Sequence, residues 1–299
     1  MEQQNGQLLR IADSVIQIDT SLSLPENYRP FLVGTSGGDP VICTVTVGQI
    51  AEVPRTLIEA STLSDGEEIQ IYREADGSHY MLLTVKDTGK SVAMHASPTW
   101  NRVVLDCACR DIDCPSFVVD KMLMMAFIYS STRYQTVLLH ASCVRIGTEG
   151  VAFIGPSGAG KSTHSRLWMT YIPGTELLND DQPAVRVVPG GEIQIYGTPW
   201  SGKTPCYKSG QAVLKGLFRM VQASENRIIP LEPVLLFREL LASCSMMKSE
   251  PDSFKQITST LAKIATAVSG FILENRPERE AAMMAYETNC WIKLNIKYH

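Results

Sequence analysis

The chain has 299 residues, enough for one large domain or two ordinary ones. Hydrophobic residues make up 44% of the chain and charged residues 19%, which is typical of a globular protein. A net charge of −4 with no basic run argues against nucleic acid as an obligate partner. No apolar stretch approaches the roughly 18 to 20 residues of a membrane span, and residues 1–6 are polar rather than part of a signal-peptide core.

The eight cysteines are irregularly spaced, which predicts reduced thiols in a cytoplasmic protein. Three of them, Cys107, Cys109 and Cys114, lie close together in the sequence. Structural zinc sites are usually built from two close pairs set apart in the chain, and no second pair follows here. We therefore interpret this cluster as ordinary thiols near the end of a strand.

Residues 1–106 are predicted to form a β-rich N-terminal domain. Runs with β-branched residues or period-2 alternation are separated by turns that contain Gly and Asp, and they cover residues 11–19, 41–47, 68–73, 79–85 and 102–105. The two runs on either side of residues 74–78 predict a hairpin. His79 and His95 are isolated, so we expect both to be structural rather than metal ligands.

Residues 107–299 are predicted to form a second domain. Apolar residues recur at helical spacing over 117–134, and a long strand is predicted over 135–146. The short turn 147–150 then leads into another apolar run. Two strands joined by so short a connection pair antiparallel, whereas most P-loop proteins have parallel neighbours at this position. The sequence thus predicts a mixed α/β core.

The run 151–163 contains the pattern Gly-x4-Gly-Lys-Ser, the P-loop that binds nucleotide phosphates. Glycines let backbone N–H groups approach phosphate oxygens, at the positive end of the helix that follows. Lys161 would place a charge on the β/γ-phosphates, and the Ser162 hydroxyl would bind Mg²⁺. The predicted nucleotide-binding residues are Gly155, Ser157, Gly158, Ala159, Gly160, Lys161, Ser162 and Thr163.

A short run over 176–183 contains the adjacent aspartates Asp180 and Asp181, which fit one metal ligand and one catalytic base. A Gly- and Pro-rich loop at 197–205 includes Trp200, which we expect to be a packing anchor. The remaining predictions are a hairpin over 184–188 and 192–196, a strand over 212–221, helices over 233–244 and 251–273 (the second broken near 269–270), and a final strand over 289–296.

Residues 138 to about 222 resemble the catalytic core of HPr kinase/phosphorylase, which is itself similar to the nucleotide core of phosphoenolpyruvate carboxykinases. The resemblance rests on the antiparallel strand pair, on Leu139-His140, on the P-loop and on Asn179-Asp180-Asp181. The loop Thr198-Pro-Trp-Ser-Gly202 looks more like the HPr-kinase-related kinases. The resemblance implies a mixed, partly antiparallel sheet around the P-loop.

The resemblance also implies roles for individual residues. Lys161 matches the P-loop lysine and His140 a histidine at the edge of the active site. Asp180 matches the base that acts on the acceptor hydroxyl, and Asp181 the aspartate associated with the metal, although the two assignments could be exchanged. Related kinases form oligomers, so self-association is expected.

The sequence therefore predicts an ATP- and Mg²⁺-dependent kinase that phosphorylates a hydroxyl of a small protein or a metabolite. Two alternatives remain open. One is a carboxykinase-like lyase with the same core. The other is a regulatory module in which nucleotide binding orders a loop without phosphoryl transfer. That module would not need a catalytic base, whereas a kinase would lose turnover without one.

Overall fold

A computed structural model describes residues 6–62, 67–86, 89, 91–106, 116–202, 204–247 and 250–296, except for the side chains of 290–296. The cysteine cluster at 107–114 and Lys203 lie outside these residues. The chain divides into two compact units, an N-terminal unit (Met1–Ser131 with Met247–Phe254) and a P-loop unit (Thr132–Met246 with Lys255–His299). The sequence predicted a boundary at residue 106, before the helix that the structure groups with the N-terminal strands.

The described residues of the N-terminal unit form one mixed sheet and a long helix. The strands are β1 (Gly6–Ile11), β2 (Ser14–Asp19), β3 (Leu32–Val33), β4 (Val41–Val47), β5 (Thr56–Thr62), β6 (Glu68–Arg73), β7 (His79–Thr84), β8 (Ser91–Ala96) and β9 (Arg102–Asp106), and the helix is α1 (Ser116–Ser131). Their order is β3-β1-β2-β4-β9-β8-β7-β6-β5. The predicted hairpin around residues 74–78 is confirmed, because β6 and β7 pair antiparallel.

Helix α1 forms much of the core of this unit. It is buried on most of its circumference, including Val118, Val119, Met122 and Leu123, as expected for a helix that is apolar all round. It packs against β4 and β8.

The P-loop unit contains a second mixed sheet and four α-helices within the described residues. The strands are β10 (Thr136–Leu138), β11 (Ala141–Ile146), β12 (Glu149–Ile154), β13 (Thr175–Asp181), β14 (Ala184–Val187), β15 (Ile193–Tyr196), β16 (Gln211–Gln222), β17 (Arg227–Leu231) and β18 (Ser269–Asn275). The helices are α2 (Lys161–Tyr171), α3 (Pro233–Ser243), α4 (Pro251–Ala267), whose first turn belongs to the N-terminal unit, and α5 (Arg279–Ile296). None of the described helices is long and apolar enough to cross a membrane.

Strand β12 lies inside this sheet, whose main order is β10-β14-β15-β16-β12-β11-β13. It pairs antiparallel with β11 and parallel with β16, which confirms the predicted antiparallel neighbour and the mixed sheet. One face of the sheet packs against Leu240 of α3 and Leu261 of α4, and the other against Trp168 of α2 and Ala285 of α5. The fold is therefore a mixed α/β arrangement with helices on both faces.

Four predicted elements differ from the structure. The run 11–19 is split by a turn at Ala12 and Asp13, both with positive φ, so that β1 and β2 form a hairpin. The long strand 135–146 is broken at Leu139–His140, because His140 N–H bonds to Ser243 O at 2.7 Å and the chain passes from one part of the sheet to another. The segment after the predicted helix break is strand β18, and residues 289–296 continue helix α5 instead of forming a strand.

Candidate functional site

Three chain segments with predicted site residues meet at one edge of the P-loop sheet. Strand β11 lies between β12 and β13, and Ala141 is opposite Ile154 on one side and Asp181 on the other. The P-loop starts one residue after Ile154, and His140 precedes Ala141. Because both neighbours run antiparallel to β11, the carboxyl ends of β12 and β13 lie at the same edge. This register brings the P-loop, His140 and the aspartate pair together.

The P-loop has the backbone conformation that its glycines permit. Gly155, Gly158 and Gly160 have φ values of 144°, 79° and 99°, which residues with a Cβ rarely adopt. Gly160 is the N-cap of α2, and no side chain of the described residues caps that end. Ser157 and Gly158 are exposed at the loop, while Ala159, Ser162 and Thr163 are partly buried. The uncapped N–H groups of the first helical turn suit an anion such as phosphate.

Lys161 is buried at the start of α2. Its Nζ donates to Gly155 O at 2.9 Å and to Pro156 O at 3.2 Å. Burial lowers the pKa of Lys161, while the charges of Asp181 and Asp180 act in the opposite direction. The ammonium group of Lys161 thus lies at the N-terminus of α2 within the electrostatic field of two carboxylates, and an ammonium group is a point charge that attracts anions.

Asp181 and His140 form a close pair. His140 Nδ1 lies 3.6 Å from Asp181 Oδ1, and their side chains are 42% and 35% exposed. Burial lowers the pKa of His140, as does the charge of Lys161, while Asp181 raises it; the net shift is downward. The neutral imidazole is therefore favoured. Asp181 also has a φ of 154°, a region that non-glycine residues rarely occupy and that is common at functional sites.

Asp180 differs from Asp181 in its environment. It is only 5% exposed, and it is opposite Ser142, whose hydroxyl lies 2.6 Å from Ser165 Oγ of α2. Cross-strand partners share a face of the sheet, so Asp180 lies on the α2 face. The two aspartates thus have different surroundings, which the sequence alone did not distinguish.

Asn179 anchors the Gly- and Pro-rich loop to the end of β13, a role that the sequence analysis missed. The side chain is fully buried. Its Nδ2 donates to Trp200 O at 3.0 Å and to Thr198 Oγ1 at 3.2 Å, and its Oδ1 accepts from Gln182 N at 2.9 Å. The loop is held further by Gly202 N–H, which donates to the Asp180 carbonyl at 2.7 Å. Trp200 is buried, as expected for a packing anchor.

Two residues of β16 also adjoin the P-loop and were not predicted. Arg219 is opposite Ile154, the last residue before the loop. Gln222 Nε2 donates to Gly158 O at 2.9 Å. A pattern search along the sequence could not find them, because they reach the loop only through the parallel pairing of β12 and β16.

The oxygen donors at this edge suit Mg²⁺. Hydroxyl and carboxylate oxygens are its usual protein ligands, and it commonly keeps several waters and binds substrate phosphates. Ser162 supplies a hydroxyl, and Asp180 and Asp181 supply carboxylates. The described residues contain no group of three or more His, Cys, Asp or Glu that could hold a metal. A magnesium ion here would therefore need phosphate oxygens and water to complete its coordination.

No protein-family model and no curated protein matches this chain. Among solved structures, one match is the Hpr(Ser) kinase/phosphatase from Coxiella burnetii, with 12% identity and a TM-score of 0.33. The match covers 54% of this chain and 92% of that one. A match at this identity and TM-score carries no argument about activity.

Proposed function

We propose that this chain binds ATP with Mg²⁺ at the P-loop and transfers the γ-phosphate to a hydroxyl group. The observation that carries the proposal is the register of β11, because it joins the P-loop, His140 and the aspartates at one sheet edge. A phosphate-binding loop alone would fit any nucleotide-binding module. A phosphotransferase also needs a carboxylate and a second polar group at the place where the acceptor meets the phosphate.

Different residues of the chain have different roles in the proposed phosphoryl transfer. Backbone N–H groups of the P-loop and the N-terminus of α2 bind phosphate oxygens, and Lys161 neutralises charge on the transferred group. Mg²⁺, when bound, would add charge neutralisation of the same kind. The acceptor oxygen forms a bond to the γ-phosphorus, the bond to the bridging oxygen breaks, ADP leaves with that electron pair, and a carboxylate takes the acceptor proton.

The two aspartates are assigned by their exposure. A base must be reached by the incoming hydroxyl, and the Asp181 side chain is 35% exposed beside His140, whereas Asp180 is 5% exposed on the α2 face. Asp181 is therefore the proton acceptor and Asp180, with Ser162, the metal-facing carboxylate. This is the reverse of the assignment made from the sequence.

The test uses γ-labelled ATP and a lysate of the source organism, with wild type, Asp181→Asn and Asp180→Asn. We expect label transfer by the wild type. Asp181→Asn should keep its affinity for ATP but lose transfer by about 10² to 10⁴-fold, the usual contribution of a general base. Asp180→Asn should require more Mg²⁺ for half-maximal activity. Binding of ATP without transfer by the wild type would instead favour the regulatory module.

A further inference from the structure

A cavity of about 540 Å³ lies beside the start of the P-loop, within the P-loop unit. This is within the range of roughly 300 to 1,000 Å³ that is usual for small-molecule pockets. Its wall includes Pro156 and Ser157 of the loop, His140, Arg219 of β16, and Ala242 and Ser245 at and beyond the end of α3. The proposed phosphate site does not by itself account for a cavity of this size.

In the proposed nucleotide orientation, with the γ-phosphate towards Asp181 and His140, the cavity lies at the γ-phosphate end of that site. In a P-loop the backbone N–H groups hold the inner phosphates, and the lysine reaches the β- and γ-phosphates. Lys161 lies in the field of Asp181, and Asp181 is 3.6 Å from His140, which lines the cavity. The part of the loop that lines the cavity is its beginning, Gly155 to Ser157, and not its end at the first turn of α2. The nucleoside would lie at the opposite end of the phosphate chain, away from the cavity.

The charges in the cavity wall are balanced within the protein. Arg219 Nε donates to Glu239 Oε2 at 3.2 Å, and Arg219 Nη1 donates to Met220 O at 2.6 Å. Burial raises the pKa of Glu239, but hydrogen bonds from Arg238 and Arg219 outweigh this and lower it, so the carboxylate is ionised. A site for an anionic ligand usually presents a cation that is not already paired with a carboxylate. In this cavity Arg219 is paired with Glu239.

The other polar groups of the wall are uncharged hydrogen-bonding groups. They include the hydroxyls of Ser157 and Ser245, and the imidazole of His140 contributes further hydrogen-bonding nitrogens. Groups of this kind fix the orientation of a ligand that has several hydroxyls. The Ser245 hydroxyl already donates to Gln182 Oε1 at 2.9 Å, so it offers its oxygen as an acceptor to a hydroxyl of the ligand.

We propose that this cavity is the acceptor subsite and that it takes a small uncharged polyhydroxy compound of the polyol or sugar class. The inference rests on the proposed function, because it concerns the second substrate of the same reaction. One hydroxyl of the compound attacks the γ-phosphorus, the bond to the bridging oxygen of ADP breaks, and the proton passes to Asp181. The products are ADP and a phosphate monoester.

The test fills the cavity without touching the P-loop. Ala242 is exposed and lines the cavity, so Ala242→Trp should fold normally and block it. Val234, 72% exposed near the start of the same helix, gives the matched control Val234→Trp. Thermal melts check that both variants are folded. ADP release from Mg-ATP is measured with glycerol, sorbitol, myo-inositol, ribose and glucose as probes, and ATP affinity is measured by calorimetry.

We expect at least one probe to raise ADP release about tenfold over water alone, and Ala242→Trp to raise the KM of that probe by about tenfold or more, a loss of about 1.4 kcal/mol. The ATP affinity of Ala242→Trp and every property of Val234→Trp should match wild type. Weaker ATP binding in Ala242→Trp would show that the cavity holds the nucleoside, and would overturn the inference.

Three further outcomes decide between this inference and the proposed function or count against both. If the wild type binds Mg-ATP and labels a protein, but no probe raises ADP release, the acceptor inference is wrong and the kinase proposal stands. If the wild type does not bind ATP at all, both are wrong. A probe whose KM is unchanged in Ala242→Trp also overturns the inference, because that probe would react outside the cavity.

Discussion

Replacement of Asn179 tests whether the Gly- and Pro-rich loop is fixed to the aspartate strand by one buried side chain. Asn179→Ala removes the bonds from Nδ2 to Trp200 O at 3.0 Å and Thr198 Oγ1 at 3.2 Å, and the bond from Gln182 N to Oδ1 at 2.9 Å. The Gln182 N–H and the Trp200 carbonyl each lose this bond, and the single hydroxyl proton of Thr198 is donated to Gln182 O at 2.7 Å. A buried polar group without a partner costs about 1 to 3 kcal/mol, so we expect a total loss of about 2 to 4 kcal/mol.

Urea unfolding of the full chain, followed by tryptophan fluorescence, measures this loss because Trp200 is in the loop. The matched control is Asn226→Ala, since Asn226 Nδ2 bonds to Glu278 and Glu280 at the surface of the same unit. Hydrogen bonds at such a site contribute little, and we expect a change below about 1 kcal/mol. Equal losses in the two variants would refute the idea that Asn179 anchors the loop.

Three other substitutions give separate predictions. Gly197→Ala should destabilise the P-loop unit by about 1 to 3 kcal/mol or more in urea unfolding, because the new Cβ would collide with Lys208 O and lie 2.9 Å from Leu178 O; wild-type stability would contradict this. Gln222→Ala removes the bond to Gly158 O and should weaken ATP binding several-fold, by about 1 kcal/mol in calorimetry; unchanged affinity would show that the bond does not shape the loop. Burial lowers the pKa of His79 from 6.5, so the unfolded chain binds a proton first and stability falls as pH drops below about 6.5. His79→Phe should reduce this loss of stability at low pH. Identical pH profiles of stability for His79→Phe and wild type would contradict this assignment to His79.

The parts of the site that are continuous along the chain could be predicted from the sequence. The P-loop residues and the aspartate pair form local patterns with fixed spacing, and the antiparallel strand pair followed from the short turn at 147–150. The contributions of Asn179, Arg219 and Gln222 were missed, because each depends on which strand or loop lies next to it in space. The division of Asp180 and Asp181 between two environments likewise depends on the register with β11.

The errors in secondary structure have a similar cause. Residues 135–146 contain several apolar and β-branched residues that favour a strand, and the bonds from Leu139 N to Pro183 O and from His140 N to Ser243 O show where the strand breaks. Strand β18 follows α4 after a single residue, so its apolar residues look like a continuation of that helix in the sequence. Its pairing with β16 and β17 makes it a strand. The end of α5 contains β-branched and aromatic residues that favour a strand on local propensity.

Calorimetric titration of ATP, with and without Mg²⁺, into wild type and Lys161→Ala tests the central claim most directly. The exposed Lys263, whose Nζ bonds to Gln135 Oε1, provides Lys263→Ala as a control for removal of a lysine. We predict Mg²⁺-dependent binding by wild type and Lys263→Ala, and binding at least about tenfold weaker by Lys161→Ala, a loss of about 1.4 kcal/mol or more. Equal affinity in all three proteins, or no binding by wild type, would contradict the proposed nucleotide site.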